Sequence, residues 1–143
     1  MATLKEILTK GDHFATGIGV RLTDVREGYA RAELTVENRH LNAAGVCQGG
    51  VYFTLADLTF AAVTNSHNLV SVGVQNSITY LRSARLGDTL IAETVETCNH
   101  HRLPFCETRV TNQQGELLCI VTGSAYRKKD TFGYEGLQSF TKK

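Results

Sequence analysis

The chain has 143 residues, of which 42% are hydrophobic and 20% are charged, values that are ordinary for a soluble domain with its own core. Fifteen basic residues stand against fourteen acidic ones, for a formal charge of +1, so no overall charge recruits nucleic acid or an anionic membrane. With one proline and no Gly/Ser-rich or charged linker, we predict a single domain over residues 1–143. Its core is expected over about 12–126, followed by a polar, basic tail (127–143) that is partly ordered at best.

The four cysteines are expected to be reduced thiols, because Cys47, Cys98, Cys106 and Cys119 form no C-x-x-C pair and no metal-binding spacing with the five histidines. No signal peptide follows Met1, and no apolar stretch is long enough to span a bilayer. We therefore expect a cytoplasmic protein.

The chain opens with a predicted short helix. Leu4, Ile7 and Leu8 lie at helical spacing, and Thr3 can cap the helix. From residue 18 to residue 36 the apolar residues alternate instead, with a turn near Glu27 and Gly28, and this pattern predicts a β-hairpin.

A loop over residues 37–48 leads into a long apolar helix over about 50–65, the strongest helix of the chain. Four segments with period-two patterning follow, at 70–81, 89–97, 105–111 and 117–126, and we predict that they form an antiparallel meander. A helix that is apolar almost all round needs cover on most of its surface. The predicted fold is therefore α+β, a long central helix wrapped by a five- or six-stranded antiparallel sheet.

Asp57 is the only carboxylate within this apolar helix. Burying an unpaired charge is costly, so the group must find donors, shift its pKa or carry chemistry. Two interpretations remain open: a catalytic carboxylate, or a structural Asp that hydroxyls or backbone amides satisfy.

Gly49 and Gly50 stand where this helix begins. The first N–H groups of a helix lack intrahelical partners, and glycine lets a substrate oxygen approach them, so the pair fits an oxyanion hole. A simple turn into the helix explains the pair about equally well. Asp57 follows Gly50 by seven residues, which is within about 20° of two full turns, so we expect both groups to face one cleft.

The run HLNAAGVCQGGVYFTLAD resembles the signature of hotdog-fold acyl-CoA thioesterases, most closely the phenylacetyl-CoA (PaaI-like) branch, whose pattern is H-x-N-x-x-G-x-x-H-G-G-x-x-F-x-L-A-D. The later run SITYLRSARLGDTL resembles the strand, turn and strand that follow the helix in that family, and the similarity extends over about residues 12–126. The matching positions of the signature are His40, Asn42, Gly45, Gly49, Gly50, Phe53, Leu55, Ala56 and Asp57.

The resemblance implies roles for these residues. Asp57 would be the nucleophile or general base, the Gly49 amide would polarise the thioester carbonyl, and Asn42 would help to place the water. It also implies a long helix wrapped by an antiparallel sheet, and two protomers paired edge to edge with the active site at their interface, within a homodimer or a homotetramer of two dimers. The substrate would be an acyl-CoA thioester with an aromatic or medium-chain acyl group, and no metal or redox cofactor is expected.

Two departures from the family pattern stand out. Gln48 replaces the usual His before the glycine pair, and Gln can keep a hydrogen bond but cannot carry a proton at neutral pH. Gly73 stands where a related branch has a hydroxyl residue from the partner subunit, and Asn76 or Ser77 are the candidate substitutes.

Further substrate contacts are assigned to Gly50 at the helix start, to Phe53 within the signature, and to Arg82, which can meet the phosphates of coenzyme A. Four other basic residues share that possibility with Arg82, and surface scatter explains them nearly as well: Arg85, Arg127, Lys128 and Lys129.

Two rival functions remain. A non-catalytic acyl-CoA binding or sensing protein is favoured by Gln48 and opposed by the retained Asp57. A hotdog hydratase or dehydratase would require a catalytic His, and no His here follows the pattern of those enzymes.

Overall fold

The computed structural model describes residues 1–140. Six strands and three α-helices follow one another, with a single 3-10 turn, Asn38–His40, between the second strand and the third helix. The elements are α1 (Leu4–Gly11), α2 (His13–Gly17), β1 (Arg21–Arg26), β2 (Tyr29–Thr35), α3 (Gly49–Thr64), β3 (Leu69–Tyr80), β4 (Thr89–Cys98), β5 (Phe105–Thr111) and β6 (Leu117–Thr131).

The N-terminal helix forms as predicted. The Thr3 hydroxyl accepts the N–H of Glu6 at 3.2 Å and so satisfies one of the free donors at the start of α1. The sequence did not predict α2, which follows directly. Its cap is Asp12, whose carboxylate accepts the N–H of Ala15 at 3.0 Å, and Ala15 is buried in the core.

The predicted hairpin is confirmed. β1 and β2 are antiparallel with Arg26 opposite Tyr29, which leaves Glu27 and Gly28 as a two-residue turn. Gly28 has a φ of 82°, in the left-handed region that such tight turns require and that glycine adopts at no steric cost.

The sheet has the strand order β1-β2-β4-β5-β6-β3, and every neighbouring pair is antiparallel. The α+β class and the six-stranded sheet are therefore confirmed. The predicted four-strand meander holds only for β4, β5 and β6. β3 lies at the opposite edge and pairs with β6, with Val72 opposite Tyr126 and Tyr80 opposite Cys119, because period-two patterning sets which face of a strand is buried and not which strand is its neighbour.

The sheet curves around α3, which supplies much of the core, including the fully buried Leu55, Leu58 and Val63. One stripe of this helix remains uncovered by the chain itself. Along the stripe Gly50 and Asp57 are exposed and Phe53, Thr54 and Ala61 are half-buried, a spacing that places them on one helical face.

The C-terminal segment has more structure than its polar composition predicts. β6 continues to Thr131, the Tyr134 hydroxyl donates to the Asn65 carbonyl at 2.7 Å, and the Phe140 ring stacks on Tyr29 with centroids 4.4 Å apart. Residues 127–140 therefore contact the rest of the domain through two aromatic side chains, Tyr134 and Phe140, that the polar composition of the segment did not indicate; residues 141–143 lie outside the described part.

All four cysteines are unpaired, and burial raises the pKa of the Cys106 and Cys119 thiols to about 12. None of the helices within residues 1–140 has the length and apolar character needed to cross a bilayer.

Candidate active site at the start of helix α3

The N-terminus of α3 presents one unoccupied backbone donor. Gln48 is the N-cap residue; its side-chain oxygen accepts the N–H of Gly50 at 2.5 Å and its backbone carbonyl accepts the N–H of Val51 at 3.0 Å. The Gly49 N–H has no hydrogen-bond acceptor within residues 1–140. It lies at the positive end of the helix dipole, where a carbonyl oxygen or oxyanion is favoured.

Gly49 borders a cavity of about 440 Å³, here called the Gly49 cavity. Its lining combines polar groups with two tyrosines and consists of Asn42, Val46, Cys47, Gly49, Tyr52, Tyr80, Leu81, Arg82 and Ser83.

Tyr80 covers Gly49. Its hydroxyl donates to the Gly49 carbonyl at 3.2 Å, and a Cβ added to Gly49 would lie 2.9 Å from that hydroxyl oxygen. The ring stands edge-on to Tyr52, with centroids 5.9 Å apart, and the Tyr52 hydroxyl accepts the N–H of Ala84 at 2.7 Å. A side chain at position 49 would therefore displace the Tyr80 hydroxyl.

The oxygen and the NH2 group of the Asn42 side chain have different roles. Its oxygen accepts the N–H groups of Ala44 at 2.9 Å and Val46 at 3.2 Å, which closes the loop before α3. Its NH2 group is left as a donor on the lining of the Gly49 cavity. Asn42 can therefore hold an oxygen atom of a water or a carbonyl, but its own oxygen is already engaged.

His40 is a structural residue. It is buried; its Nδ1 accepts the N–H of Glu37 at 2.8 Å, and its Nε2 lies 2.6 Å from the Ile18 carbonyl. These partners require the neutral tautomer with the proton on Nε2. Both ring nitrogens are thus committed to holding the loop.

Asp57 lies in a second cavity of about 390 Å³, the Asp57 cavity, which is lined by Asp12, Phe14, Phe53, Thr54 and Asp57. The expectation of a buried Asp57 is wrong, since its side chain is exposed in the single chain. No donor within residues 1–140 bonds its carboxylate, which speaks against the structural interpretation. The Thr54 hydroxyl, one turn away, donates to the Gly50 carbonyl at 2.8 Å instead.

The electrostatics of the Asp57 cavity favour a basic carboxylate. Partial desolvation within the concave site raises the pKa of Asp57, and the negative charge of Asp12 raises it further. A carboxylate with a raised pKa binds a proton more readily, which suits a general base.

Gly49 and Asp57 do not share a cleft within one chain, because they line separate cavities. Helical spacing does put Gly50 and Asp57 on one exposed stripe. However, side chains project radially from a helix whereas its first N–H groups point along the axis. A shared face therefore did not produce a shared cleft.

The other predicted contacts are dispersed. Arg82 lines the Gly49 cavity and pairs with Glu116 at 3.6 Å. Asn76 has a buried side-chain oxygen without a partner in residues 1–140, and Ser77 is exposed opposite Thr122. Neither Asn76 nor Ser77 lines the Gly49 or the Asp57 cavity.

Arg127 is excluded as a surface phosphate ligand. It is buried, donates to the Asn99 side chain at 2.7 Å, and lies 3.8 Å from the Glu96 carboxylate.

Asp12, Phe14 and Tyr52 are among the cavity-lining residues that the sequence did not reveal as site residues. The N-cap position of Asp12 was a detectable signal. Nothing in the sequence pattern marks Phe14, because a single-turn helix has no periodicity to read.

Residues 44–119, a little over half of the chain, match the family model described as the thioesterase superfamily. The chain belongs to the thioesterase superfamily. The matched segment of this thioesterase includes the Gly49 donor, Asp57 and strands β3 to β5.

Two curated relatives match this thioesterase over most of its length. The acyl-coenzyme A thioesterase PaaI of Escherichia coli is 30% identical and covers 82% of this chain and 84% of its own. A protein of Archaeoglobus fulgidus that is named as an esterase is 36% identical, and the match covers 90% of this chain and 84% of that protein. The resemblance to the PaaI-like branch is therefore confirmed.

Solved structures give the same relationship. Escherichia coli PaaI superposes with a TM-score of 0.85 at 29% identity, covering 88% of this thioesterase and 91% of the other chain. A thioesterase of Streptococcus pneumoniae in complex with coenzyme A has a TM-score of 0.73 at 27% identity, covering 85% and 92%. The hotdog arrangement of sheet and helix is confirmed by these structures.

Within residues 1–140 of this thioesterase, no three His, Cys, Asp or Glu side chains are grouped so as to hold a metal ion. The chemistry available at the two cavities is a backbone donor at Gly49, an amide donor at Asn42 and a carboxylate at Asp57. An oxyanion donor and a base are the two parts that acyl transfer to water requires.

Proposed function

We propose that this thioesterase hydrolyses acyl-CoA thioesters with aromatic or medium-chain acyl groups, releasing the free acid and coenzyme A. The observation that carries the proposal is the unpartnered Gly49 N–H at the start of α3, facing a cavity of about 440 Å³. The names of the PaaI relative and of the coenzyme A complex support the choice of substrate.

The active site is assembled from two copies of the chain. β3 is an edge strand whose outer side has no neighbour in residues 1–140, and it exposes the apolar Val72 and Val74. An open edge of this kind pairs readily with a second strand. Pairing along β3, with the exposed stripes of two α3 helices facing each other, joins the Gly49 cavity of one protomer to the Asp57 of the partner subunit.

The reaction begins with the thioester carbonyl oxygen accepting the Gly49 N–H, with the Asn42 NH2 as a second donor. As a general base, Asp57 takes a proton from water while the water oxygen adds to the carbonyl carbon. The negative charge that develops on the carbonyl oxygen is stabilised by the helix N-terminus. The C–S bond then breaks, and the coenzyme A thiolate takes the proton held by Asp57.

A direct attack by Asp57 is the alternative course. Its carboxylate then forms an anhydride with the acyl group and expels the thiolate, and water cleaves the anhydride. Water that cleaves the anhydride at the carboxyl carbon of Asp57 leaves ¹⁸O in Asp57 after a single turnover in ¹⁸O-water, whereas the general-base course places all of the ¹⁸O in the released acid.

Gln48 caps the helix and does not relay protons. Its oxygen is held by the Gly50 N–H, and an amide has no titratable proton near neutral pH. Gln48 therefore contributes to catalysis by ordering the start of α3. The Gly50 N–H is not free to bind the substrate, because it donates to Gln48. Arg82 lines the Gly49 cavity, and its guanidinium is the proposed contact for a phosphate of coenzyme A.

The test is thiol release from a panel of acyl-CoA substrates by the wild-type protein and by Asp57→Asn. We expect a selective profile, and loss of the base lowers kcat by about 10²- to 10⁴-fold. Unchanged turnover by Asp57→Asn contradicts the mechanism.

Binding of acyl-CoA by the wild-type protein without thiol release favours the sensing protein that Gln48 suggested. The hydratase alternative lacks support, since both ring nitrogens of His40 are engaged. The cytoplasmic location and the choice between dimer and tetramer stay predictions.

A further inference from the structure

The Asp57 cavity is flanked by two phenylalanines from different helices. Phe53 lies one turn before Asp57 on α3, and Phe14 lies on α2 across the cavity. Residues four apart on a helix are neighbours on one face, so Phe53 and Asp57 line the same side of the cavity.

The backbone of Phe14 is fixed by hydrogen bonds of α2, but its side chain does not pack into the core. Its side chain is 72% exposed, although the residue after it, Ala15, is buried. α2 is pinned by the Asp12 cap on the Ala15 N–H and by the Val20 N–H, which donates to the Ala15 carbonyl at 3.0 Å. Burying a Phe side chain is favourable, and the fold leaves this contribution unrealised beside Asp57.

The size and chemistry of the cavity fit the acyl group. A volume of about 390 Å³ lies within the range of small-molecule sites. Two aromatic side chains recognise an apolar group, whereas the carboxylate at the same cavity is the group that acts on the adjoining carbonyl. A neutral polar ligand would leave both rings without a function.

We propose that Phe14 is a specificity-determining residue, which closes with Phe53 on the acyl group and selects aromatic and medium-chain acyl groups over acetyl. The inference rests on the proposed function, because it takes the thioester carbonyl to lie beside Asp57. Ring contact with the acyl group strengthens binding of the large substrates and is absent for acetyl.

The experiment compares Phe14→Ala and Phe14→Leu with the wild-type protein on phenylacetyl-CoA, hexanoyl-CoA and acetyl-CoA. For Phe14→Ala we expect kcat/KM to fall about tenfold for the two large substrates, the effect of an apolar contact in a binding pocket, and to change less than about twofold for acetyl-CoA. Phe14→Leu restores most of the activity on hexanoyl-CoA. Leu103→Ala, which truncates another exposed apolar residue outside the Asp57 cavity, is the matched control.

Two outcomes overturn the inference: an equal loss on all three substrates, or dissociation of the assembly by Phe14→Ala in sedimentation velocity, which would mean that a second copy covers Phe14.

Calorimetric binding of phenylacetyl-CoA and acetyl-CoA, with Phe14→Ala placed in the Asp57→Asn background, gives a readout that does not need turnover. If the wild-type protein releases no thiol but Phe14→Ala weakens phenylacetyl-CoA binding alone, the proposed hydrolysis fails and the inference stands. Equal weakening of both ligands overturns it.

Discussion

The side-chain oxygen of Gln48 accepts the N–H of Gly50 at 2.5 Å. This bond occupies the second helical N–H of α3 and leaves the first, at Gly49, unoccupied. Gln48, which stands where the family has His, thus acts as the N-cap of α3. The amide caps the helix and restricts the free donors at its start.

Removing this cap is expected to cost stability. Gln48→Ala lowers the free energy of unfolding by about 0.5–1 kcal/mol, since an N-cap acceptor is lost, and urea denaturation measures the change. Gln114→Ala is the control, because Gln114 is exposed and its side chain makes no hydrogen bond to any of residues 1–140. Equal stability of the two variants would show that the bond between Gln48 and Gly50 contributes nothing.

The charge of Asp12 is expected to move the acid limb of the pH–rate profile to higher pH. Desolvation raises the pKa of Asp57, and the Asp12 charge adds to it. Asp57 must be deprotonated to act, so the rate falls as pH drops through its pKa. Asp12→Asn removes the charge and keeps an oxygen that can cap Ala15, so the limb of kcat/KM moves to lower pH.

Asp24→Asn is the control for this shift, since Asp24 pairs with Arg26 at 3.1 Å and does not line the Asp57 cavity. An acid limb that stays in place in Asp12→Asn, or that moves equally in Asp24→Asn, rules out the electrostatic role of Asp12.

Tyr80 is expected to position the oxyanion donor. Its hydroxyl bonds the Gly49 carbonyl at 3.2 Å, and the side chain is 51% exposed, so its removal perturbs the core little. Tyr80→Phe keeps the ring and deletes the bond; we expect kcat to fall about three- to tenfold, as for the loss of about 1 kcal/mol of hydrogen bonding, with a smaller change in KM.

Tyr126→Phe provides the comparison for Tyr80→Phe, as Tyr126 is similarly exposed and its hydroxyl makes no hydrogen bond within residues 1–140. The positioning role is refuted if both variants turn over at the same rate.

The elements that the sequence predicted correctly are those defined by local chemistry. The glycine pair and the apolar run located α3, and alternation with Gly28 located the first hairpin. The place of β3 beside β6 could not be predicted in this way, because strand patterning carries no information about the neighbour.

The site was predicted in its residues but not in its geometry. Asp57 has apolar neighbours in sequence, yet residues one or two apart on a helix face different directions, so these neighbours enter the core while Asp57 remains exposed. The Asp57 cavity also depends on α2, whose five residues carry no periodic signal.

Mixing two inactive variants tests most directly whether Gly49 of one copy works with Asp57 of the partner subunit. Gly49→Val crowds the donor with a branched side chain and displaces the Tyr80 hydroxyl, which would lie 2.9 Å from a Cβ there, and Asp57→Asn removes the carboxylate.

After the two variants are unfolded and refolded together, half of the dimers carry one copy of each, and each of these has one intact site. We expect the mixture to recover about one quarter of the wild-type rate of thiol release, as a two-fold symmetric pair requires. A mixture as inactive as either variant alone would contradict the account and place both groups of each site in a single chain.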